Sequence, residues 1–373
     1  MIAIVGAGPI GCYLASLLAK EEEVYVFEEH SEIGKPVQCT GLVTDEIKRF
    51  VKLKKEFIVN EIKDVRVYSK NNFIDLRLKK NFLLNREKFD RYMAEKAERA
   101  GAKIFLNTKF LGYKDKKILV KQDNKIKRFS FDYLIGADGV MSKVNEVFFK
   151  NERKILVGLQ ARFKKKKKSD EKDINFYVSE GKIGWVVFEN KNFARVGVVD
   201  SSKVVKKSFR DFVARTIKDY RKNLVEYQSG PIPLYNPKDR IVRSIDDKKV
   251  FLVGDAAGQV KATTFGGIVQ GLTAAKILKD VIIEGKDYMK ELKRLNRELK
   301  IHLFLRKVMD TFSSKDYDFL IEIMKAKRNR EIIKRYNRDE ISKIFLRVLL
   351  KDVRIFYFLK NLAKGLFYKS QYL

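Results

Sequence analysis

The first 28 residues leave few choices of fold. Ile2–Val5 is a short apolar run of strand length, followed at once by Gly6-Ala7-Gly8-Pro9-Ile10-Gly11, a helix-periodic stretch from Cys12 to Lys20, and a second apolar run, Val24–Phe27. The pattern reads as strand, glycine turn, helix and parallel strand, a βαβ unit. Each glycine of G-x-G-x-x-G has its own duty. Gly6 allows the tight turn, Gly8 lets backbone approach a pyrophosphate, and Gly11 lets the helix pack on the strand. The helix N-terminus offers N–H groups to phosphate charge. Glu28 closes the second strand 17 residues after Gly11, where a carboxylate accepts hydrogen bonds from the adenosine ribose.

The α/β pattern is interrupted once. Arg86–Ala100 has helical spacing, broken by Gly101-Ala102 before a strand over Lys103–Leu106. A strand over Tyr133–Ile135 runs into Gly136-Ala137-Asp138-Gly139. From about residue 155 the period becomes two, and Ile155–Phe163, Ile174–Val178, Gly184–Phe188 and Ala194–Val199 read as an antiparallel meander. The α/β pattern returns with a strand over Val250–Val253, a turn over Gly254–Gly258 and a helix from about Gly267 to Glu284; the remainder reads as helical and basic. The expected organisation is a dinucleotide-binding domain in two parts (1–150 and 246–285), an inserted sheet domain (151–245) and a C-terminal helical cap (286–373). About two domains is also what 373 residues suggest.

Charge limits the partners. Eighty Lys and Arg against 48 Asp and Glu give a net charge of +32, which attracts nucleic acid, an anionic membrane surface or an acidic protein. No nucleic-acid recognition motif is present, so nucleic acid is not expected. Two cysteines, Cys12 and Cys39, and two histidines exclude a disulfide framework, a structural metal site and a Ser-His or Cys-His machine. Abundant Lys and Glu with few His and Cys is a composition seen in hyperthermophiles and in Lys-rich genomes. The N-terminus has no basic start or cleavage site, and no apolar run reaches about 18 residues, so an intracellular, cytoplasmic protein is expected, either free or peripheral on the inner face of the membrane. Lys164–Lys168 reads as a solvated hairpin tip.

Two further glycine motifs narrow the cofactor. Leu134-Ile135-Gly136-Ala137-Asp138-Gly139 and Val250-Phe251-Leu252-Val253-Gly254-Asp255-Ala256-Ala257-Gly258, read with the N-terminal turn, resemble the flavoprotein hydroxylase superfamily with the p-hydroxybenzoate hydroxylase fold. The resemblance implies a Rossmann-like FAD-binding domain with an inserted antiparallel sheet for substrate. It puts Asp255 on the FAD ribityl chain and Asp138-Gly139 near the pyrophosphate. With a single complete dinucleotide fingerprint, no dedicated NAD(P)H domain is evident.

Within that superfamily the chain is most similar to the geranylgeranyl reductase family. Gly34-Lys35-Pro36-Val37-Gln38-Cys39-Thr40-Gly41-Leu42 resembles its G-x-P-x-x-C segment beside the flavin, and Asn85-Arg86-Glu87-Lys88-Phe89-Asp90 its R-x-x-F-D segment, with Arg86 near the cofactor phosphates. Gly230-Pro231-Ile232-Pro233 resembles its G-x-I-P turn, and Phe304 to Leu320 its helical cap. The resemblance implies backbone or packing contacts to FAD from Ile10, Thr40, Leu42, Phe110, Gly267 and Ile268, and a flavin-proximal, tentatively catalytic Cys39. Its implied activity is reduction of prenyl C=C bonds, in membrane lipid precursors, by hydride transfer from reduced flavin. The alternative on the same fold is an FAD-dependent monooxygenase of an apolar substrate.

The departures bear on substrate. The family's Y-x-W-x-F-P strand is here Ile183-Gly184-Trp185-Val186-Val187-Phe188-Glu189, and its N-P-L-T-G-G-G turn is Lys261-Ala262-Thr263-Thr264-Phe265-Gly266-Gly267. Lys261 and Phe265 are expected near the flavin as a bulkier, more cationic pocket edge. Trp185, the sole tryptophan, either packs in the core or lines a prenyl tunnel. Residues 286–373 hold 23 Lys and Arg against 11 Asp and Glu, and Ile344–Tyr368 alternates a broad apolar face with basic side chains. That pattern suits an interfacial helix on anionic lipid or a cap helix packed on the protein. The basic surface also suits an acidic electron donor such as a ferredoxin.

Overall fold

The computed structural model describes residues 1–179 and 182–367. The βαβ opening forms as read: strand Ile2–Val5, helix Pro9–Leu18 and strand Val24–Phe27, paired in parallel with Ile2 opposite Val24. These strands sit inside a six-stranded sheet whose order is Val242–Ile245, Lys248–Leu252, Tyr133–Gly136, Ile2–Val5, Val24–Phe27, Lys103–Phe105. All its pairs are parallel except the edge hairpin Val242–Ile245/Lys248–Leu252. Parallel strands covered on both faces need to be apolar throughout, and Ile2–Val5 is buried along its length. Helices Pro9–Leu18, Arg86–Arg99 and Ile268–Glu284 contribute to the same core.

The second sheet is larger than the sequence periodicity suggested. It has eight strands in the order Leu224–Pro233, Ile155–Lys164, Phe193–Asp200, Lys182–Phe188, Ile174–Ser179, Ile58–Tyr68, Phe73–Leu84, Leu42–Thr44. Three of these strands come from residues 42–84, which the sequence reading left inside the first part of the cofactor domain. They join through one parallel pairing, Ile174–Ser179 against Ile58–Tyr68. Their alternation is obscured by charged residues, because one face is solvated. Gly230–Pro233 is the end of a strand here and not a turn. Helix Val205–Thr216 covers part of this sheet, with Phe212 seated over Gly184, where a Cβ would come within 2.8 Å of the ring.

A three-stranded meander, Thr108–Lys114, Lys117–Gln122 and Lys125–Phe129, was not foreseen. Its two turns place Asp115-Lys116 and Asp123-Asn124 at positive φ, as two-residue hairpins require. The Lys164–Lys168 run is only partly solvated: Lys165 and Lys167 pair with Glu171 and Asp173 and lie over the Phe188 ring, while Lys164, Lys166 and Lys168 are exposed. The C-terminal part is helical: Lys293–Met309, Ser314–Lys325, Lys327–Arg335, Ile341–Lys351 and Leu359–Phe367, with a 3₁₀ turn over Val353–Phe358. Ile344–Tyr368 is therefore not one helix. Buried Asp352 breaks it by accepting from Arg354 N–H and from the Asn329, Arg328 and Arg354 side chains. Tyr368 lies outside the described residues.

Candidate cofactor and substrate site

The two sheets and the cap enclose one cavity of about 1230 Å³. At one end is the glycine turn. Gly6 has φ +100°, and a Cβ there would lie 2.5 Å from the Ala137 carbonyl oxygen, so the ends of strands Ile2–Val5 and Tyr133–Gly136 approach only because it is glycine. A Cβ on Gly11 would meet the Gly6 carbonyl at 2.1 Å; this glycine serves packing and does not face the cavity. Gly8 differs: a Cβ there would meet nothing within 4 Å and would project into the cradle. Helix Pro9–Leu18 starts at this point with proline first, no side-chain cap and no acidic residue in its first turn. Its N-terminal end is left for an anion.

Glu28 stands at the end of the second strand and is already engaged. Its Oε2 accepts from Ala7 N–H at 2.8 Å, and its Oε1 meets the backbone N–H and Nδ1 of His30 at 3.0 and 2.6 Å. Three of the roughly four lone-pair sites of a carboxylate are used, which fixes its position and leaves capacity for a ribose hydroxyl. Asp138 also has a structural duty. It accepts from Ser142 Oγ at 2.5 Å and Val144 N–H at 3.1 Å, holding helix Lys143–Phe148. Burial pushes its carboxyl above the usual range against these donors. Asp138 and Gly139 both reach the cavity wall.

Asp255 is the informative carboxylate. Its Oδ1 lies where a Cβ on Gly267 would be 2.8 Å away, so Gly267 admits it to the cavity beside the start of helix Ile268–Glu284. Burial raises its pKa, opposed by Arg86 and Arg153, and among the described residues its carboxylate has no hydrogen-bond partner. An enclosed, unpartnered carboxylate calls for a ligand hydroxyl. Ile10 packs against Gly254 and Gly271, joining the glycine turn to the Gly254–Ala257 turn.

The loop Gly34–Gly41 forms the next wall. Arg86 forks onto buried Asp90 through Nε and Nη2 at 3.0 and 2.8 Å and is itself only partly exposed. Cys39 is half-buried, and its Sγ accepts from Gly41 N–H at 3.3 Å. Thr40 donates to Gln160 Oε1 at 2.6 Å, while the Thr40 carbonyl accepts from Arg195, itself paired with Glu189 at 2.7 Å. Leu42 lies at the cavity wall and its carbonyl accepts from Arg338. Phe110, from the unforeseen meander, is buried and lines the cavity with Thr108 and Lys109.

Beyond this wall the cavity becomes an apolar chamber under the eight-stranded sheet, lined by Val65, Leu76, Leu78, Phe176, Val187 and Met309. Trp185 lines it as well as packing: its indole lies against Gly197, where a Cβ would come within 2.5 Å, and its Nε1 donates to Gln160 at 3.3 Å. Ile183 is also at the wall. Phe265, like Trp185 and Ile232, packs against the buried cluster Leu156, Val199 and Leu234, and has φ +56°, a conformation that bulky residues rarely take.

Lys261 reaches the wall, but the expected cationic edge is not its doing. It is 2% exposed and its Nζ donates to Asp339, which also accepts from Thr44 and, at 3.2 Å, from Gln270. Burial alone would raise the Asp339 carboxyl, yet Lys261 and Arg338 hold it well below the carboxylate range. The neighbouring cation at the wall is Arg338. His302, fully buried, pairs its Nδ1 with Thr263 Oγ1 at 2.6 Å; burial, and then Lys261, push its pKa down to about 3.

The glycine cradle, the engaged Glu28 and the unpartnered Asp255 fit a dinucleotide with a polyol arm, and a family model described as an FAD binding domain matches residues 1–275. The chain belongs to this FAD-binding family. Its cofactor is FAD, and the protein is an FAD-dependent oxidoreductase related to geranylgeranyl reductases. This flavoprotein is 28% identical to digeranylgeranylglycerophospholipid reductase 3 of Methanosphaera stadtmanae over 89% of this chain and 92% of that protein. It is also 28% identical to the digeranylgeranylglycerophospholipid reductase of Methanothrix thermoacetophila, over 94% of both chains. Its fold matches a geranylgeranyl bacteriochlorophyll reductase-like protein of Thermoplasma acidophilum at TM-score 0.76 and 22% identity, covering 97% and 98% of the two chains. A probable FAD-dependent monooxygenase of Pseudomonas aeruginosa matches at TM-score 0.64 and 17% identity, covering 86% and 99%.

All the residues singled out from the flavoprotein's sequence face the cavity except Gly11. The polar network was not foreseen: Gln160, the Arg195–Glu189 pair, Arg338, the Asp339 partner of Lys261 and His302 come from separate stretches of the sequence. One cue existed for His302, since the chain has only two histidines and this one falls on the apolar stripe of a cap helix.

Proposed function

We propose that this flavoprotein saturates isolated C=C bonds of prenyl chains carried on membrane lipid precursors. The observation that carries the reading is the continuity of the cavity. At about 1230 Å³ it exceeds the roughly 300–1,000 Å³ of ordinary ligand pockets, and its far half is apolar. FAD would occupy the glycine end, and the remainder suits a flexible hydrocarbon. The digeranylgeranylglycerophospholipid reductases at 28% identity point the same way.

Bound FAD, once reduced, would supply the hydride for one alkene carbon, and a proton must reach the other. The chain's own contribution is positioning and the exclusion of water. Glu28 would hold the ribose end, the Gly8 cradle would take the pyrophosphate, and Asp255 would accept from the polyol. The Gln160–Thr40–Trp185 network fixes the wall between cofactor and chamber. Cys39 is the proton donor we favour, because its thiol sits on that wall in the loop pinned by Arg195.

The test is an anaerobic turnover. The protein is reduced with dithionite, mixed with geranylgeranylated lipid, and followed by flavin reoxidation and product mass. The expected product gains two hydrogens per bond. Reoxidation only under air, with product gaining one oxygen, would assign a monooxygenase instead.

A further inference from the structure

The outer surface of the C-terminal cap carries an apolar stripe that the cavity does not use. Leu346, Leu350, Val353, Phe356 and Leu359 are 51, 75, 76, 49 and 56% exposed, and Leu366 is 65% exposed. Within each element their spacing keeps them on one face. Leu346 and Leu350 are four apart on helix Ile341–Lys351; Val353 and Phe356 are three apart in a 3₁₀ turn, where residues i and i+3 eclipse; Leu359 and Leu366 are seven apart on the last helix. Inward-facing Val348 and Phe358 are buried, so the same elements are anchored on the protein by their other face.

A cation follows four of the six apolar residues, Leu346-Arg347, Leu350-Lys351, Val353-Arg354 and Leu359-Lys360, and Lys364 adds another on the last helix. One flank of the stripe is therefore basic. Arg354 is paired with Asp352, and Lys360 is 4.0 Å from Asp316 while its side chain stays 59% exposed. A stripe of this size facing water marks a docking surface.

We propose that this stripe docks on an anionic lipid bilayer, with Leu350, Val353 and Phe356 entering the headgroup boundary and the lysines against lipid phosphates. Charge selects this occupant. A second copy would bring a net +32 against another +32. No described helix is long and apolar enough to cross a membrane, so attachment would be from one side. The stripe is also one layer from the chamber. Phe358, Ile355 and Leu362 belong to the same apolar cluster as Val178 and Met309, which line the cavity. Resting on the prenyl-reductase reading, docking here would present the chamber to lipid chains at the membrane.

The experiment is vesicle flotation of the full FAD-loaded chain at physiological salt. Expected is binding to phosphatidylcholine vesicles containing phosphatidylglycerol, weak binding to phosphatidylcholine alone, and release by added salt. Each lysine near such a surface is worth roughly fivefold, so Lys351→Gln/Lys360→Gln/Lys364→Gln should weaken binding by about 100-fold. Leu350→Glu/Val353→Glu/Phe356→Glu should abolish it while keeping the FAD spectrum and thermal melt. Equal binding to both vesicle types, undiminished binding by the glutamate variant, or a dimer that this variant dissolves would overturn the proposal. Reduction of prenyl lipid dispersed in detergent reads the proposed chemistry separately. Its absence with docking intact sinks the chemistry alone, and its presence without docking sinks the membrane surface alone.

Discussion

Acid should loosen the grip of the cap on the cofactor domain through a single imidazole. His302 is fully buried on helix Lys293–Met309, with its Nδ1 on Thr263, and its pKa is depressed to about 3 from 6.5. The folded state thus holds it neutral while the unfolded chain takes up a proton as pH falls through 6.5. Its contribution to stability is complete above about pH 6.5 and is lost progressively towards pH 3. Linkage between those two values gives a loss of about 2 kcal/mol at pH 5 and about 3 kcal/mol at pH 4. An unfolding entropy of about 2.1 cal/mol/K per residue, or about 0.8 kcal/mol/K for the 373-residue chain, turns the latter into a Tm decrease of about 4 °C. Other groups titrate in the same range, so the readout is a difference. His302→Asn keeps a partner for Thr263 and removes the proton site. Melts of both proteins from pH 7.5 to 4 should converge by about 4 °C as pH falls, whatever their offset at neutral pH. Parallel curves would show that His302 is not held neutral and would refute the reasoning.

The buried ion pair should be asymmetric. Asp339→Asn leaves Lys261 and Arg338 without their anion and should cost about 3–5 kcal/mol in urea unfolding. Lys261→Met should cost clearly less, because Asp339 keeps Thr44, Gln270 and Arg338. Gly8→Val should fold normally but lose FAD, read as the ratio of flavin to protein absorbance, whereas Gly11→Val should fail to fold because its Cβ would lie 2.1 Å from the Gly6 carbonyl. Cys39→Ala should retain FAD and slow single-turnover reoxidation by the alkene about 100-fold or more, the span of a general acid; an unchanged rate removes Cys39 from proton delivery.

What could be read from the sequence was what neighbouring residues decide. The glycine turns, Glu28, Asp255 and the parallel strands announce themselves because backbone geometry and full burial constrain residue type locally. The strands Ile58–Tyr68 and Phe73–Leu84, which pair with each other, did not, because their solvated face carries Lys, Arg and Asp, and the strand that joins Ile58–Tyr68 to the rest of the sheet lies over a hundred residues away. The same holds for charge. Lys261 read alone is a cation at a pocket edge, and only the fold brings Asp339 to it across 78 positions. The last apolar segment read as one interfacial helix because periodicity cannot register that Asp352 is buried and bonded to three side chains.

The two departures at the turn after Gly258 are joined through the cap. Alternate residues of that turn each meet a C-terminal partner: Lys261 meets Asp339, Thr263 meets His302, and the Phe265 ring lies 5.7 Å beneath the Arg306 guanidinium. His302 and Arg306 are four residues apart and so share one helix face. Arg306 is in turn fixed by Asp310 at 2.5 Å, with both side chains buried. A glycine-rich turn would offer the cap nothing but backbone. Here the turn carries side chains that the cap holds, and the tension shows at Phe265, kept at positive φ at a cost of about 1–2 kcal/mol. That cost is borne at the cavity wall, which Lys261, Thr263 and Phe265 all line. The cap residues His302, Arg306 and Asp339 thus hold the side chains of one stretch of that wall, so the wall is built by the cap as well as by the eight-stranded sheet.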